Sequence, residues 1–125
     1  MKKSEKSMNI RAKGSNCAQA VFAGFCEDYG IDLSAALKLT AGFGAGMNCG
    51  EICGAASGGV LVLGLRYGNS DPSDKEQKKF CGKKTKEFLD IFKQKYSALT
   101  CREILATSNK SICNVLIKEV VELLE

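Results

Sequence analysis

The residues of this chain best equipped for chemistry are its cysteines, Cys17, Cys26, Cys49, Cys53, Cys81, Cys101 and Cys113. Seven is an odd number, so at least one thiol has no partner for an intramolecular disulfide. Histidine is absent. That absence removes imidazole as a base or metal ligand, together with the C-x-x-C-H haem motif, and leaves thiolates, carboxylates and lysines as the reactive groups. In a reducing compartment, cysteines at this density are metal ligands, reactive thiols or small buried hydrophobes rather than staples.

Position along the chain sorts them. Cys17 follows Ser15, Cys101 follows Thr100 and Cys113 follows Ser111, and each preceding residue is of a type that caps a helix N-terminus. Cys53 falls one turn into a helix that Asn48 and Glu51 open as a capping box. Unpaired amide N–H groups and the positive end of the helix dipole favour a thiolate at such places, which predicts lowered pKa values and a good nucleophile or soft metal ligand. Cys17, Cys53, Cys101 and Cys113 are therefore the candidate redox thiols, and equally the candidate metal ligands, should they converge. The competing reading makes all four ordinary core cysteines. Cys26 is half a helical turn out of phase with Cys17 and reads as core, as does Cys81 on the stripe of Phe88 and Phe92. Cys49 lies one turn before Cys53, could meet it in space, and is a further candidate ligand.

The elements that must position these thiols are helical. The stretch from Gly42 to Gly68 is apolar on every side and crowded with small residues, so it predicts a buried central helix from Asn48 to Tyr67, ended by an αL-tolerant Gly68. Gly50, Gly54 and Gly58 recur on one face of it. Each glycine inside a helix costs about 0.8 to 1.0 kcal/mol relative to alanine, and close approach by a neighbouring helix is the compensation expected. Around it we place a weak, frayed helix within residues 1–14 and a helix from a Ser15 cap to Tyr29 with Gly30 at its end. A short helix capped by Asp32 or Ser34 follows. Beyond the centre come an amphipathic helix with Pro72 at its first position, running to Tyr96, a short helix opened by the Thr100 and Glu103 capping box, and a last helix from Ile112 to Leu124. No segment alternates long enough to demand a sheet. The expectation is an all-α, single-domain bundle, residues 1–125, of about five to six helices around a Gly-rich centre, a size and composition (45% hydrophobic, 26% charged) suited to one core.

Four stretches then stand out together: Asn16-Cys17-Ala18-Gln19-Ala20-Val21; Gly42-Phe43-Gly44-Ala45-Gly46 leading into Cys53-Gly54-Ala55-Ala56-Ser57-Gly58; Val62-Leu63-Gly64-Leu65-Arg66-Tyr67-Gly68; and Cys101-Arg102-Glu103-Ile104-Leu105 with Cys113 beyond it. In these the chain resembles the C_GCAxxG_C_C family of redox-active proteins. The resemblance covers most of the chain and implies a small bacterial protein with four recurrent cysteines, here Cys17, Cys53, Cys101 and Cys113, in a redox role. Cys26, Cys49 and Cys81 lie outside that set, and the inner motif is met as Cys53-Gly54-Ala55.

Four thiolates without histidine suit an iron–sulfur cluster or zinc by softness, while paired thiols suit disulfide exchange. The tight C-x-x-C of zinc knuckles and of thioredoxin is absent, and so are ferredoxin spacings. The sequence thus reads as a redox-active protein using clustered cysteines for electron transfer at an iron–sulfur or other metal centre, or for thiol–disulfide chemistry. The alternatives are a structural zinc-binding helical protein and a non-catalytic binding module whose Gly42–Gly46 loop offers amides to an anion. No strand precedes that loop and no GK[ST] follows, so close packing explains it better. A formal charge of +4, with acids interleaved among the lysines, describes a solvated face and excludes nucleic acid as the expected partner. The expected partners are a redox partner of unknown identity and a second copy of the chain. The longest apolar run, Gly58 to Leu65, is far below the ~18 residues of a membrane span, and the basic start has no secretory h-region, so a cytoplasmic protein is expected.

Overall fold

The computed structural model describes residues 1–125. Its seven α-helices are α1 (Lys3–Ala12), α2 (Cys17–Ala23), α3 (Leu33–Leu39), α4 (Gly54–Tyr67), α5 (Lys75–Tyr96), α6 (Cys101–Thr107) and α7 (Ile112–Leu124), with 3₁₀ turns at Cys26–Tyr29 and Ala41–Phe43. The fold is all-α, and the count reaches seven when the short α3 and α6 are included. Helix α4 is the axis: α2 lies along one side of it, α5 and α7 along others, and α1 closes over α2 and α7.

The small residues of α4 are what allow this. A methyl on Gly54 would meet the Ala18 nitrogen and Cys17 Cβ, both at 3.1 Å, and one on Gly58 would meet the Ala18 oxygen at 3.0 Å. Phe88 of α5 occupies the space that a side chain at Gly59 would need, its Cζ only 2.5 Å away. One hydrophobic cluster results, with Phe25, Phe92, Leu116, Ile117, Val120 and Val62 each no more than 2% exposed. Full burial of a side chain of this size contributes about 1.5 to 3 kcal/mol.

Helix boundaries depart from expectation at several points. The central helix begins at Gly54, not Asn48. Residues Ala45, Gly46, Met47 and Asn48 run through four consecutive left-handed conformations, φ 52, 63, 58 and 59°. The Asn48 side chain donates to Gly42 O instead of capping, and the Glu51 N–H closes onto Gly46 O. Gly50 is thereby removed from the helical glycine face. At the other end Gly68 is extended, φ −74°, so it is no left-handed cap. It is close approach that requires glycine there, since an added Cβ would lie 2.4 Å from Gly64 O.

Asn16, not Ser15, caps α2. Its side chain accepts from the Gln19 N–H at 2.8 Å while Gln19 Oε1 accepts from the Asn16 N–H at 2.9 Å, a complete capping box. Helix α2 stops at Ala23 because α1 crosses at Gly24, where a Cβ would stand 2.4 Å from Ser7 Oγ; the chain continues as the 3₁₀ turn to Tyr29 and leaves at Gly30, φ 78°, as anticipated. Asp32 caps α3. Asp74 rather than the residue before Pro72 caps α5, since Asp71 spends its carboxylate on the turn at Ser73. Thr100 caps α6 as expected, whereas Ser111 makes no cap and its N–H is instead taken by Asn109 Oδ1. No helix is long and apolar enough to cross a membrane.

Candidate functional site

A single pair of extended residues brings the first two thiols together. Ile52 and Thr100 form an antiparallel bridge in which the Cys53 N–H donates to Leu99 O at 2.8 Å and the Cys101 N–H to Glu51 O at 2.7 Å. Each cysteine then enters a helix. Cys53 is the N-cap of α4, not a residue one turn inside it, because the helix starts late; Cys101 is the first residue of α6, whose cap Thr100 accepts from the Glu103 N–H. The Asn16 capping box makes Cys17 the first residue of α2, and Gly54 lets the start of α4 rest directly on Cys17 Cβ. Cys113 is the second residue of α7. Helix α1 ties to that end of α7 through Arg11, whose Nε donates to Asn114 Oδ1 at 3.1 Å and whose second nitrogen donates to Ser15 O at 2.6 Å.

Cys17, Cys53, Cys101 and Cys113 line one cavity of about 240 Å³. Its apolar wall is Ile104, Leu105 and Leu116, and its polar side chains are Asn16, Arg11 and Lys110. Cys53 is only 4% exposed and forms the floor, while Cys17, Cys101 and Cys113 are half-buried.

The expectation of thiolates at these helix starts is overturned by burial at Cys17, Cys53 and Cys101. Desolvation, then the neighbouring Cys113 thiol, pushes the Cys17 thiol from 9.0 up to about 12, against the pull of Arg11. Burial also raises Cys53, outweighing the Ala55 and Ala56 N–H groups that would favour its thiolate, and raises Cys101, with Cys113 the next cause. Partial charges at a helix end are worth roughly 0.3 to 1 kcal/mol at exposed sites, less than the cost of burying a charge beside other thiols. The resting cavity thiols Cys17, Cys53 and Cys101 are protonated at neutral pH.

As a donor set, four cysteines have the softness that zinc or an iron–sulfur cluster requires. As they stand, no three cysteine, aspartate or glutamate side chains of the chain are close enough together to hold a metal ion, so either group would require the sulfurs to move together. Cys49, the further candidate ligand, is exposed in the left-handed turn with its thiol on Gly46 O, and does not line the cavity. Cys26 is fully buried as expected. Cys81 is not in the core; α5 overhangs the end of α4 there, and Cys81 is half-buried beside Asn69, Asp71 and Thr85. The Gly42–Gly46 loop serves packing: a Cβ on Gly44 would lie 2.5 Å from that of Asn16, whose Nδ2 donates to Thr40 O and Ala41 O.

Sequence reasoning did not foresee Arg11 and Lys110 at the cavity, since Arg11 reaches it from the end of α1 and Lys110 from the turn before α7, and neither position carries a local signal of that role. Asn16 could have been found: Gln19 three residues on distinguishes it from Ser15 as the cap.

A family model described as Putative redox-active protein (C_GCAxxG_C_C) matches residues 15–125. No curated protein matches the chain, and no solved structure does.

Proposed function

We propose, from the premise that the chain belongs to the C_GCAxxG_C_C family, that Cys17, Cys53, Cys101 and Cys113 are its reactive thiols and that they work by thiol–disulfide exchange. The observation that carries this reading is the opening of four thiols, from the starts of four different helices, into one cavity, where Cys113 is the neighbouring thiol that most affects Cys17. In the forward direction one of that pair loses its proton and attacks a sulfur of a substrate disulfide. The substrate S–S bond breaks, a thiol leaves and a mixed disulfide remains. The second cavity thiol attacks the protein sulfur of that mixed disulfide and releases the second substrate thiol. The cavity pair gives up two electrons and two protons, and the substrate disulfide gains them. Arg11, whose charge lowers the pKa of Cys17, stabilises a thiolate formed there.

The test is titration of the fully reduced protein with a small aliphatic disulfide, with free thiols counted and cross-linked peptides mapped by mass spectrometry. Two thiols lost per disulfide reduced, a peptide joining Cys17 to Cys113, and full recovery with reductant are expected. In a Cys49→Ser, Cys81→Ser background, Cys17→Ser and Cys113→Ser should each abolish the intramolecular cross-link, and Cys26→Ser should leave it intact. A reduced protein that exchanges with no disulfide would refute the reading. A second reading, a zinc or iron–sulfur centre, is favoured by the softness of the donors and needs the four sulfurs to draw together. Stoichiometric metal, with or without inorganic sulfide, in protein purified without oxygen is the result that would establish it.

A further inference from the structure

The cavity is not electrically neutral. Arg11 and Lys110 line it and no aspartate or glutamate does. Arg11 spends its mapped hydrogen bonds on neutral acceptors, Asn114 Oδ1 and Ser15 O, and neither cation takes part in any of the ion pairs of the fold. Most lysines of the chain are likewise unpaired but stand on exposed faces among acids; what marks this place is that two cations line one cavity of thiols with no carboxylate in its wall. A protonated thiol offers a cation no counter-charge, and the remaining wall is apolar. The volume, about 240 Å³, is below the ~300 Å³ at which sites for drug-sized ligands begin, and matches one arm of a small molecule rather than a protein segment.

We infer that the substrate of the cavity is a low-molecular-weight disulfide carrying a carboxylate, with Lys110 at the rim and Arg11 further in receiving the anionic group while the disulfide meets the thiols. The inference rests on the exchange chemistry proposed above and adds the charge of the substrate to it. Before attack, the carboxylate supplies the counter-charge that the two cations lack, and binding places a sulfur of the substrate against Cys17 or Cys113. The same cations retain the mixed-disulfide intermediate, which still bears its carboxylate, until the second thiol closes. Cationic disulfides are repelled by the same two charges. Charged walls around a cleft raise association rates by roughly 10- to 1000-fold, and the gain falls with ionic strength.

The experiment uses the full chain, reduced, in a Cys49→Ser, Cys81→Ser background so that the cavity supplies the accessible thiols. Three aliphatic disulfides are compared: dithiodipropionate (anionic), bis(hydroxyethyl) disulfide (neutral) and cystamine (cationic). Each rate is divided by that of the same disulfide with dithiothreitol, which cancels intrinsic reactivity. A normalised preference of about 10-fold for the anionic over the neutral disulfide at low salt is expected, with the cationic one slowest. The preference should shrink at high salt and drop several-fold in Lys110→Gln, which is exposed and leaves the Arg11 hydrogen bonds in place. Arg11→Gln should lower it too, and Arg11→Lys should retain most of it. Lys38→Gln, remote from the cavity, should leave it unchanged. Equal normalised rates for the three disulfides, or a preference that survives Lys110→Gln and Arg11→Gln, overturns the anionic substrate and leaves exchange standing. Failure to reduce even the neutral disulfide overturns both.

Discussion

Gly58→Ala should destabilise the protein although alanine is the better helix former. Gly58 lies inside α4 with ordinary helical backbone, so the substitution gains about 0.8 to 1.0 kcal/mol of helix propensity. Against that, the new methyl meets the Ala18 oxygen at 3.0 Å and Ala18 Cα and Val21 Cβ at 3.1 Å. Two of those three atoms are backbone, so relief requires α2 to move away from α4. Overpacking of a tight contact costs roughly 1 to 3 kcal/mol, which leaves a net loss of about 1 kcal/mol. Gly64 and Gly82 are the controls, since neither has any atom within 4 Å of an added Cβ. Gly64→Ala and Gly82→Ala should each stabilise by up to about 1 kcal/mol, placing them about 2 kcal/mol above Gly58→Ala. Urea unfolding of the four proteins, with the slope unchanged, measures this directly, because the midpoint alone then carries the difference. Gly58→Leu should lose several kcal/mol. A Gly58→Ala midpoint equal to or above that of Gly64→Ala would refute the close approach of α2 on α4 as the reason for glycine there.

Alkaline pH should destabilise the reduced protein through Cys17. A thiol whose folded pKa is raised keeps its proton in the native state while the unfolded chain has lost it, so its contribution is intact below about pH 9 and declines as pH rises toward about 12. The displacement corresponds to a ceiling of about 4 kcal/mol, and the decline measured by denaturation between those pH values should flatten in Cys17→Ser. Removal of the α6 cap by Thr100→Ala should cost about 1 kcal/mol, read as a lower denaturation midpoint, and should speed alkylation of Cys101 while leaving the fully buried Cys26 unreactive.

What the sequence revealed follows from what is local in it. The small-residue first half of α4, the Thr100 cap and the end of α5 at Tyr96 are set by residues a turn or two apart, and they stand where the pattern places them, whereas past Gly59 only Val62 and Leu63 of the apolar circumference are buried and Gly64 is exposed. The start of α4 does not stand where the pattern places it, because Asn48 and Glu51 have the form of a capping box while the chain there turns through left-handed conformations and the bridge to Thr100 holds Ile52 extended, so that the helix begins only at Gly54. That competing interaction comes from the far side of α5 and has no local signature. The same limit governs the site. Helix-start positions pointed to Cys17, Cys53, Cys101 and Cys113, but the protonation of the first three depends on how deeply neighbouring helices bury them, which spacing does not encode. Cys81 shows the reverse error, since its stripe is real but the helix carrying it runs past the core.

The bridge between Ile52 and Thr100 also sets when the cavity can exist. All of α4 and α5 lies between its two halves, so it closes only after those helices have docked and returned the chain to its starting end. Contacts of high sequence separation form at the greatest loop-closure cost. During synthesis Cys17 and Cys53 emerge well before Cys101 and Cys113, and the nascent chain passes through a stage in which the first two thiols have no cavity around them. Assembly of the site is therefore a late step of folding. The amide hydrogens of Cys53 and Cys101, which the bridge alone protects, should exchange with solvent together and so report its opening independently of the helices on either side.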